Sequence, residues 1–160
     1  MKLMSFVIIE REDRFLLVKE TSKKFKGLWF FTGGELQKGE SFEDAALRET
    51  REELKCEITL SRIAHIRITN RIFDQNITII YAGALKEDPP PKKADKNVLV
   101  SKWFNYEETL KLEMREHGHG IIEAYRNGAV PLPDIILNDK ENNIHSLILK
   151  NKDHSYTRHH

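Results

Sequence analysis

Three carboxylates recur at helical spacing in the run from Ser41 to Lys55. Glu49, Glu52 and Glu53 stand at positions i, i+3 and i+4, so a helix would carry them on one narrow stripe. Like charges at this spacing repel each other, and Arg48, four residues before Glu52, offsets only part of that repulsion. We therefore expect a divalent cation beside the stripe, and oxygen ligands without nearby Cys or His favour a hard ion, Mg²⁺ or Mn²⁺. A solvated helix face is the alternative that three glutamates alone leave open.

The sequence supplies both the start of this helix and a loop in front of it. Ser41 can accept a hydrogen bond from the backbone N–H of Asp44, whose carboxylate can reach back, and this pairing satisfies donors at a helix N-terminus. Gly33 and Gly34 precede the helix, and without a side chain there a backbone carbonyl can approach a bound ion. The neighbouring stripe, which would face a core, consists of Ala46, Leu47, Thr50 and Leu54.

The spacing of the charged residues resembles a known family signature, the Nudix box G-x5-E-x7-R-E-U-x-E-E-x-G-U, where U is a bulky aliphatic residue. The matching positions are Gly34, Glu40, Arg48, Glu49, Glu52 and Glu53. The chain departs from the pattern at three places, with Thr50 at the first U, Lys55 at the glycine and Cys56 at the last aliphatic. Because glycine usually forms the left-handed end of a helix, we expect the helix end at Lys55 to be looser or differently shaped.

The resemblance implies both a fold and a reaction. The fold is an α/β/α sandwich with a mixed central sheet, and the reaction is metal-dependent hydrolysis of a nucleoside diphosphate linked to another group. The implied metal ligands are the side chains of Glu49, Glu52 and Glu53 and the carbonyl oxygen of Gly33. Glu49 is our choice of general base, although another carboxylate could serve. Arg48 would orient a glutamate, and Glu40 would tie the loop to the helix.

Many Nudix hydrolases add a carboxylate from the loop before a strand that carries a tryptophan. Asp95 lies eight residues before Trp103 and is therefore the expected further metal ligand, with Glu87 and Asp88 as rivals. A solvated loop acid is the other interpretation of Asp95.

The substrate is less sharply indicated than the reaction. The segment from Lys93 to Leu132 is loosely similar to Nudix hydrolases that act on oxidised guanine nucleoside diphosphates, so we expect a purine nucleotide, in particular an oxidised one. ADP-ribose, a dinucleoside polyphosphate, and a non-catalytic nucleotide-sensing role are the alternatives. The basic loop around Lys24 predicts either a solvated turn or a lip that meets ligand phosphates. Aromatic residues that could stack on a base are Phe25, Trp29, Phe73 and Tyr81.

Composition bounds the class of protein. The chain has 160 residues, 39% hydrophobic and 32% charged, which predicts one soluble domain over residues 1–150 and a mobile tail over 151–160. A net charge of +1 gives no general attraction to a nucleic acid polymer or a membrane surface. A single cysteine and no membrane-spanning run favour the cytoplasm. A monomer and a homodimer are both open.

The remaining pattern predicts strands and a second helix. Expected strands are 3–9, 15–19, 29–31, 58–69, 77–85 and 98–104, with a final hairpin of 135–137 and 144–149. The segment 70–76 should be a turn. A helical turn is expected at 106–112 and a second helix at 114–125, weakened by Gly118 and Gly120. This order of elements predicts a mixed sheet packed between helices.

Overall fold

A computed structural model describes residues 1–90 and 100–129 and the backbone of Pro133–Leu137. The strands are β1 (Lys2–Arg11), β2 (Arg14–Lys19), β3 (Trp29–Phe30), β4 (Thr32–Glu35), β5 (Ile58–Arg71), β6 (Asp74–Leu85), β7 (Ser101–Asn105) and β8 (Pro133–Leu137). The helices are α1 (Phe42–Leu54), α2 (Tyr106–Thr109) and α3 (Gly118–Arg126). None of these helices is long and apolar enough to cross a membrane.

Strand β1 lies at the centre of the fold. It pairs antiparallel with β4 on one edge and parallel with β6 on the other, and β6 continues through antiparallel β5 to parallel β8. A smaller antiparallel sheet of β3, β2 and β7 is joined to the far end of β1. The joining turn is Glu12-Asp13, with φ of 53° and 59°, and two positive φ values are typical of a two-residue hairpin that follows strand twist.

The side chains of β1 alternate between two hydrophobic cores, one on each face of the sheet. Phe6 and Ile8 are buried on the side of α3, in contact with a cluster that includes Ile121 and Ile122. The intervening Val7 and Ile9 are buried on the side of α1, in a cluster that includes Ala46, Leu54 and Tyr81. Because apolar side chains leave both faces of the sheet, a helix must cover each face. The predicted α/β/α sandwich with a mixed central sheet is confirmed.

Helix α1 begins as its residues predict, but its C-terminal end differs from the expectation. The Ser41 hydroxyl accepts a hydrogen bond from the Asp44 N–H over 3.0 Å, and α1 buries Ala45, Ala46, Thr50 and Leu54. At the other end Lys55 adopts the left-handed conformation that glycine would favour, with φ of 57° and ψ of 35°, and its N–H bonds to the Arg51 carbonyl. The expectation of a differently shaped end is therefore wrong, because the helix ends in the usual left-handed conformation with a lysine in the place of glycine.

The second helix starts later than predicted. Helix α3 begins at Gly118 rather than at residue 114, after His117 in a left-handed conformation with φ of 71°. The preceding backbone pairs with β3 instead, because the Trp29 N–H donates to the Glu113 carbonyl and the Arg115 N–H donates to the Trp29 carbonyl. Those hydrogen bonds replace the ones that an earlier helical turn would have made.

Other predicted boundaries also need correction. The predicted strand 29–31 is shorter in the structure, since β3 covers only Trp29–Phe30, and a separate strand β4 (Thr32–Glu35) follows it and pairs with β1 instead of β2. Strands β5 and β6 extend through most of the predicted turn at 70–76 and leave only Ile72 and Phe73 between them. Strand β8 pairs parallel with β5. Residues 144–149 and the tail 151–160 lie outside the described residues.

Replacing Lys55 with glycine should raise the free energy of unfolding by about 0.5–1 kcal/mol, because glycine adopts positive φ without a steric penalty. Urea unfolding would measure the change. Lys55→Ala is the matched control and should bring no such gain, since its Cβ keeps the same clash. A loss of stability in Lys55→Gly would contradict the left-handed helix end.

Candidate metal and catalytic site

Glu53 is held where α1 meets the start of β4. Its Oε2 accepts a hydrogen bond from the Thr32 hydroxyl over 2.9 Å, and its carboxylate also accepts one from the Gly33 N–H. Thr32 is fully buried, so this contact lies inside the packing of β4 against α1. The predicted acid stripe therefore faces the loop that precedes it.

Two glycines make this close approach feasible. Gly33 has φ of 145°, and a Cβ there would lie 2.2 Å from the Ser5 carbonyl oxygen of β1. A Cβ on Gly34 would lie 2.6 Å from Glu49 Oε1. Because the Ser5 carbonyl is fixed backbone, only glycine fits at position 33, whereas a side chain at position 34 would displace the Glu49 carboxylate.

Arg48 connects the box residues to one another. Its Nε donates to Glu40 Oε1 at 2.7 Å and its Nη2 to Glu40 Oε2 at 3.1 Å, a bidentate pair. Glu40 also accepts from the Gln37 N–H, so it ties the loop to α1 as expected. The other Arg48 nitrogen, Nη1, donates to Glu49 Oε1 at 3.0 Å and to Glu52 Oε2 at 3.3 Å. The guanidinium thus neutralises part of the acid stripe.

The acids of the stripe differ in how readily they carry charge. Burial raises the pKa of Glu53 to about 8, helped by the charges of Glu49 and Glu20 and opposed by the Thr32 hydrogen bond. Burial also raises the pKa of Glu49, against the opposing effect of Arg48. Glu52 is more open, with 58% of its side chain exposed. Two buried carboxyls that resist ionisation would gain from a positive partner.

The donor set fits a hard divalent cation. It offers only oxygen atoms, on the side chains of Glu49, Glu52 and Glu53 and on the Gly33 carbonyl. Within residues 1–90 and 100–129, no three acidic, histidine or cysteine side chains already converge tightly enough to hold a metal. Glu49 and Glu52 instead each accept a hydrogen bond from Arg48 Nη1. Asp95 lies outside the described residues.

Sequence reasoning missed two residues near this site. Glu20, directly after β2, lies close enough to Glu53 to raise its pKa, and it forms an ion pair with Arg115 at 3.1 Å. Arg115 in turn lies over the Phe25 ring at 3.8 Å and over the Phe30 ring at 4.7 Å. The sequence gives no sign that these two residues are in contact, because 95 positions separate them.

A cleft of about 310 Å³ opens beyond Arg115. Phe6, Phe30 and Ile80 form its apolar floor, and Lys24 and Phe25 line its rim. The basic loop therefore reaches a cavity rather than standing clear of the protein. Of the aromatic residues considered for stacking, Phe25 and Phe73 line this cleft, whereas Trp29 and Tyr81 are buried in the cores.

The raised pKa of Glu53 predicts a pH dependence of stability in metal-free protein. Its pKa is about 8 in the folded state against an ordinary 4.5, so the folded state binds more protons between these values. The free energy of unfolding should then fall as pH rises from about 4.5 to about 8, by up to ~1 kcal/mol per pH unit.

Urea unfolding in EDTA at several pH values would measure this slope. Glu53→Gln should flatten it, because the amide does not titrate, whereas Glu43→Gln on the exposed side of α1 should keep it. An unchanged slope in Glu53→Gln would contradict the burial argument.

Comparison with known proteins identifies the family to which the chain is similar. The family model of the NUDIX domain matches residues 3–125. The CTP pyrophosphohydrolase of Escherichia coli K12 is 41% identical over 128 residues, covering 78% of this chain and 93% of that protein. The ADP-ribose pyrophosphatase of Methanocaldococcus jannaschii is 30% identical over 121 residues, covering 68% of this chain and 70% of that protein.

A solved structure and a longer relative complete the comparison. The crystal structure of a NUDIX hydrolase from Nitrosomonas europaea superposes with a TM-score of 0.68 at 19% identity, covering 84% of this chain and 78% of that one. The chain spans 28% of the length of a Caenorhabditis elegans relative that is 26% identical over 112 residues. With its box residues gathered around Arg48 and the family match over most of its length, this chain belongs to the Nudix family.

Proposed function

We propose that this chain is a pyrophosphohydrolase that cleaves a nucleoside diphosphate linked to another group. The observation that carries the proposal is the placement of Glu49 and Glu53 against Gly33 and Gly34 of β4, where burial disfavours the charged form of both carboxyls and raises their pKa values. Two relatives with pyrophosphohydrolase or pyrophosphatase names support it. A purely sensing domain is less well supported, because every carboxylate of the box is present.

The metal ligands in this proposal are Glu49, Glu52, Glu53 and the Gly33 carbonyl, with Asp95 as a further candidate. Mg²⁺ is the proposed cation and Mn²⁺ the alternative, since both are hard ions that prefer oxygen. A bound cation would neutralise the oxygens of the diphosphate, which otherwise repel an incoming nucleophile. Thr32 would keep the Glu53 carboxylate in place through its hydroxyl.

Residues of the chain would remove the proton of the attacking water and orient the carboxylates of the site. Water attacks one phosphorus of the diphosphate, the bond from that phosphorus to the bridging oxygen breaks, and the leaving phosphate keeps the bridging oxygen. Glu49 is the proposed base that takes a proton from the water. Arg48, held by its bidentate pair with Glu40, would orient a glutamate of the box.

The substrate is proposed at the level of a small nucleotide. An oxidised purine nucleotide has the support of the loose similarity over residues 93–132. The relatives' names point instead to CTP and to ADP-ribose, which favours a test of several nucleotides side by side. We place the reaction in the cytoplasm, on a free nucleotide rather than a nucleic acid polymer or a membrane, by a monomer or a homodimer.

Glu52→Gln and Glu53→Gln should each lower kcat by two or more orders of magnitude, because an amide is a poor ligand for Mg²⁺ and carries no charge. Turnover of the most active nucleotide with added Mg²⁺ would measure the loss. The control is Glu43→Gln, which removes one negative charge at an exposed position of the same helix and should retain activity. Full activity in both box variants would contradict the proposed site.

A panel of nucleotides in ¹⁸O-labelled water should identify both substrate and scissile bond. The panel would compare an oxidised guanine nucleotide, CTP, ADP-ribose and a dinucleoside polyphosphate. We expect the oxidised guanine nucleotide to give the highest kcat/KM and label to enter only one product. Ready turnover of ADP-ribose with none of the oxidised nucleotide would overturn the purine assignment and keep the reaction class.

A further inference from the structure

The cleft beyond Arg115 carries an excess of positive charge. Among the side chains that line it, five are Lys or Arg and two are carboxylates. The whole chain has a net charge of only +1, so the cations are concentrated here. The lining Lys and Arg residues are Lys2, Lys24, Arg67, Arg71 and Arg115.

These cations differ in how far local carboxylates neutralise them. Arg115 has a close partner in Glu20 at 3.1 Å, and both side chains are less than one-fifth exposed. Arg71 has only a loose pair with Glu116 at 3.8 Å, and 42% of its side chain is exposed. Lys24 lies over the Phe25 ring at 5.0 Å and forms no ion pair with any carboxylate of the described residues. Lys24 and Arg71 can therefore meet an anion at little cost.

Their positions separate them from the acid stripe. Lys24 lies in the loop between β2 and β3, and Arg71 lies at the far end of β5, beside the exposed Phe73. Phe6 forms part of the apolar floor of the cleft and pairs through its backbone with Gly33 of β4, the strand whose Thr32 holds Glu53. A ligand whose diphosphate reaches the acid stripe would place its far end against the floor and the basic rim.

We propose that the cleft binds a second anionic group of the substrate, a phosphate monoester outside the diphosphate that is cleaved. This inference rests on the proposed pyrophosphohydrolase function and names its substrate class as a nucleotide phosphorylated at an additional position. Flat apolar rings would hold the nucleoside, and Lys24 and Arg71 would form charge-assisted hydrogen bonds with the monoester. If the cations served the scissile diphosphate alone, an additional phosphate would bring no advantage.

Two matched pairs of nucleotides test the proposal, because each pair differs only by one phosphate monoester. The pairs are ADP-ribose with its 2′-phosphate, and dephospho-coenzyme A with coenzyme A. We expect kcat/KM with Mg²⁺ to be about tenfold higher for the phosphorylated member of at least one pair, mainly through a lower KM, because each added contact is charge-assisted. Calorimetric binding to Glu53→Gln protein should show the same preference without turnover.

Matched variants assign the preference to the cleft. Lys24→Gln and Arg71→Gln should each lower the ratio within the pair several-fold, whereas Lys23→Gln in the same loop and Arg62→Gln on the same strand remove the same charge away from the cleft lining and should keep it. Equal kcat/KM and equal affinity within both pairs would overturn this inference and keep the pyrophosphohydrolase. A preference in binding with no turnover of any nucleotide would keep the inference and overturn the enzymatic function.

Discussion

The burial of the Glu53 carboxylate against the start of β4 is the constraint on which this site depends. Thr32 and the Gly33 N–H hold the carboxylate by hydrogen bonds, yet burial raises its pKa to about 8. Its neighbour Glu49 also resists ionisation, for the same reason. The charged form of a buried carboxyl is costly without a counter-charge, and a nearby cation would lower that cost.

Arg48 is the counter-charge that the folded chain supplies itself. Its bidentate pair with Glu40 fixes the guanidinium, and the remaining nitrogen contacts Glu49 and Glu52. In the proposed metal complex, the pair with Glu40 would persist while Glu49 and Glu52 turned to the cation. The arginine would then keep the loop in register and limit the number of conformations open to the two acids.

Strand β1 links the acid stripe to the cleft. Its backbone at Ser5 and Phe6 contacts Gly33 so closely that no side chain fits, and the Phe6 ring forms part of the cleft floor. On its other face, β1 shares a core with α1, which carries the acids. Strand β1 therefore fixes the position of the acid stripe relative to the cleft in which the rest of a nucleotide would bind.

The sequence by itself determined helix α1, its Ser41 cap, the acid stripe and the family, because all of these depend on residues close together in the chain. Through the order of its strands and helices, it also indicated a mixed sheet packed between helices. Only the tertiary structure decided that residues 113–115 pair with β3 instead of starting a helix, that β8 lies parallel to β5, and that Glu20 meets Arg115. Each of these contacts joins segments far apart in sequence, and local spacing carries no information about which distant backbone or charge a segment will meet.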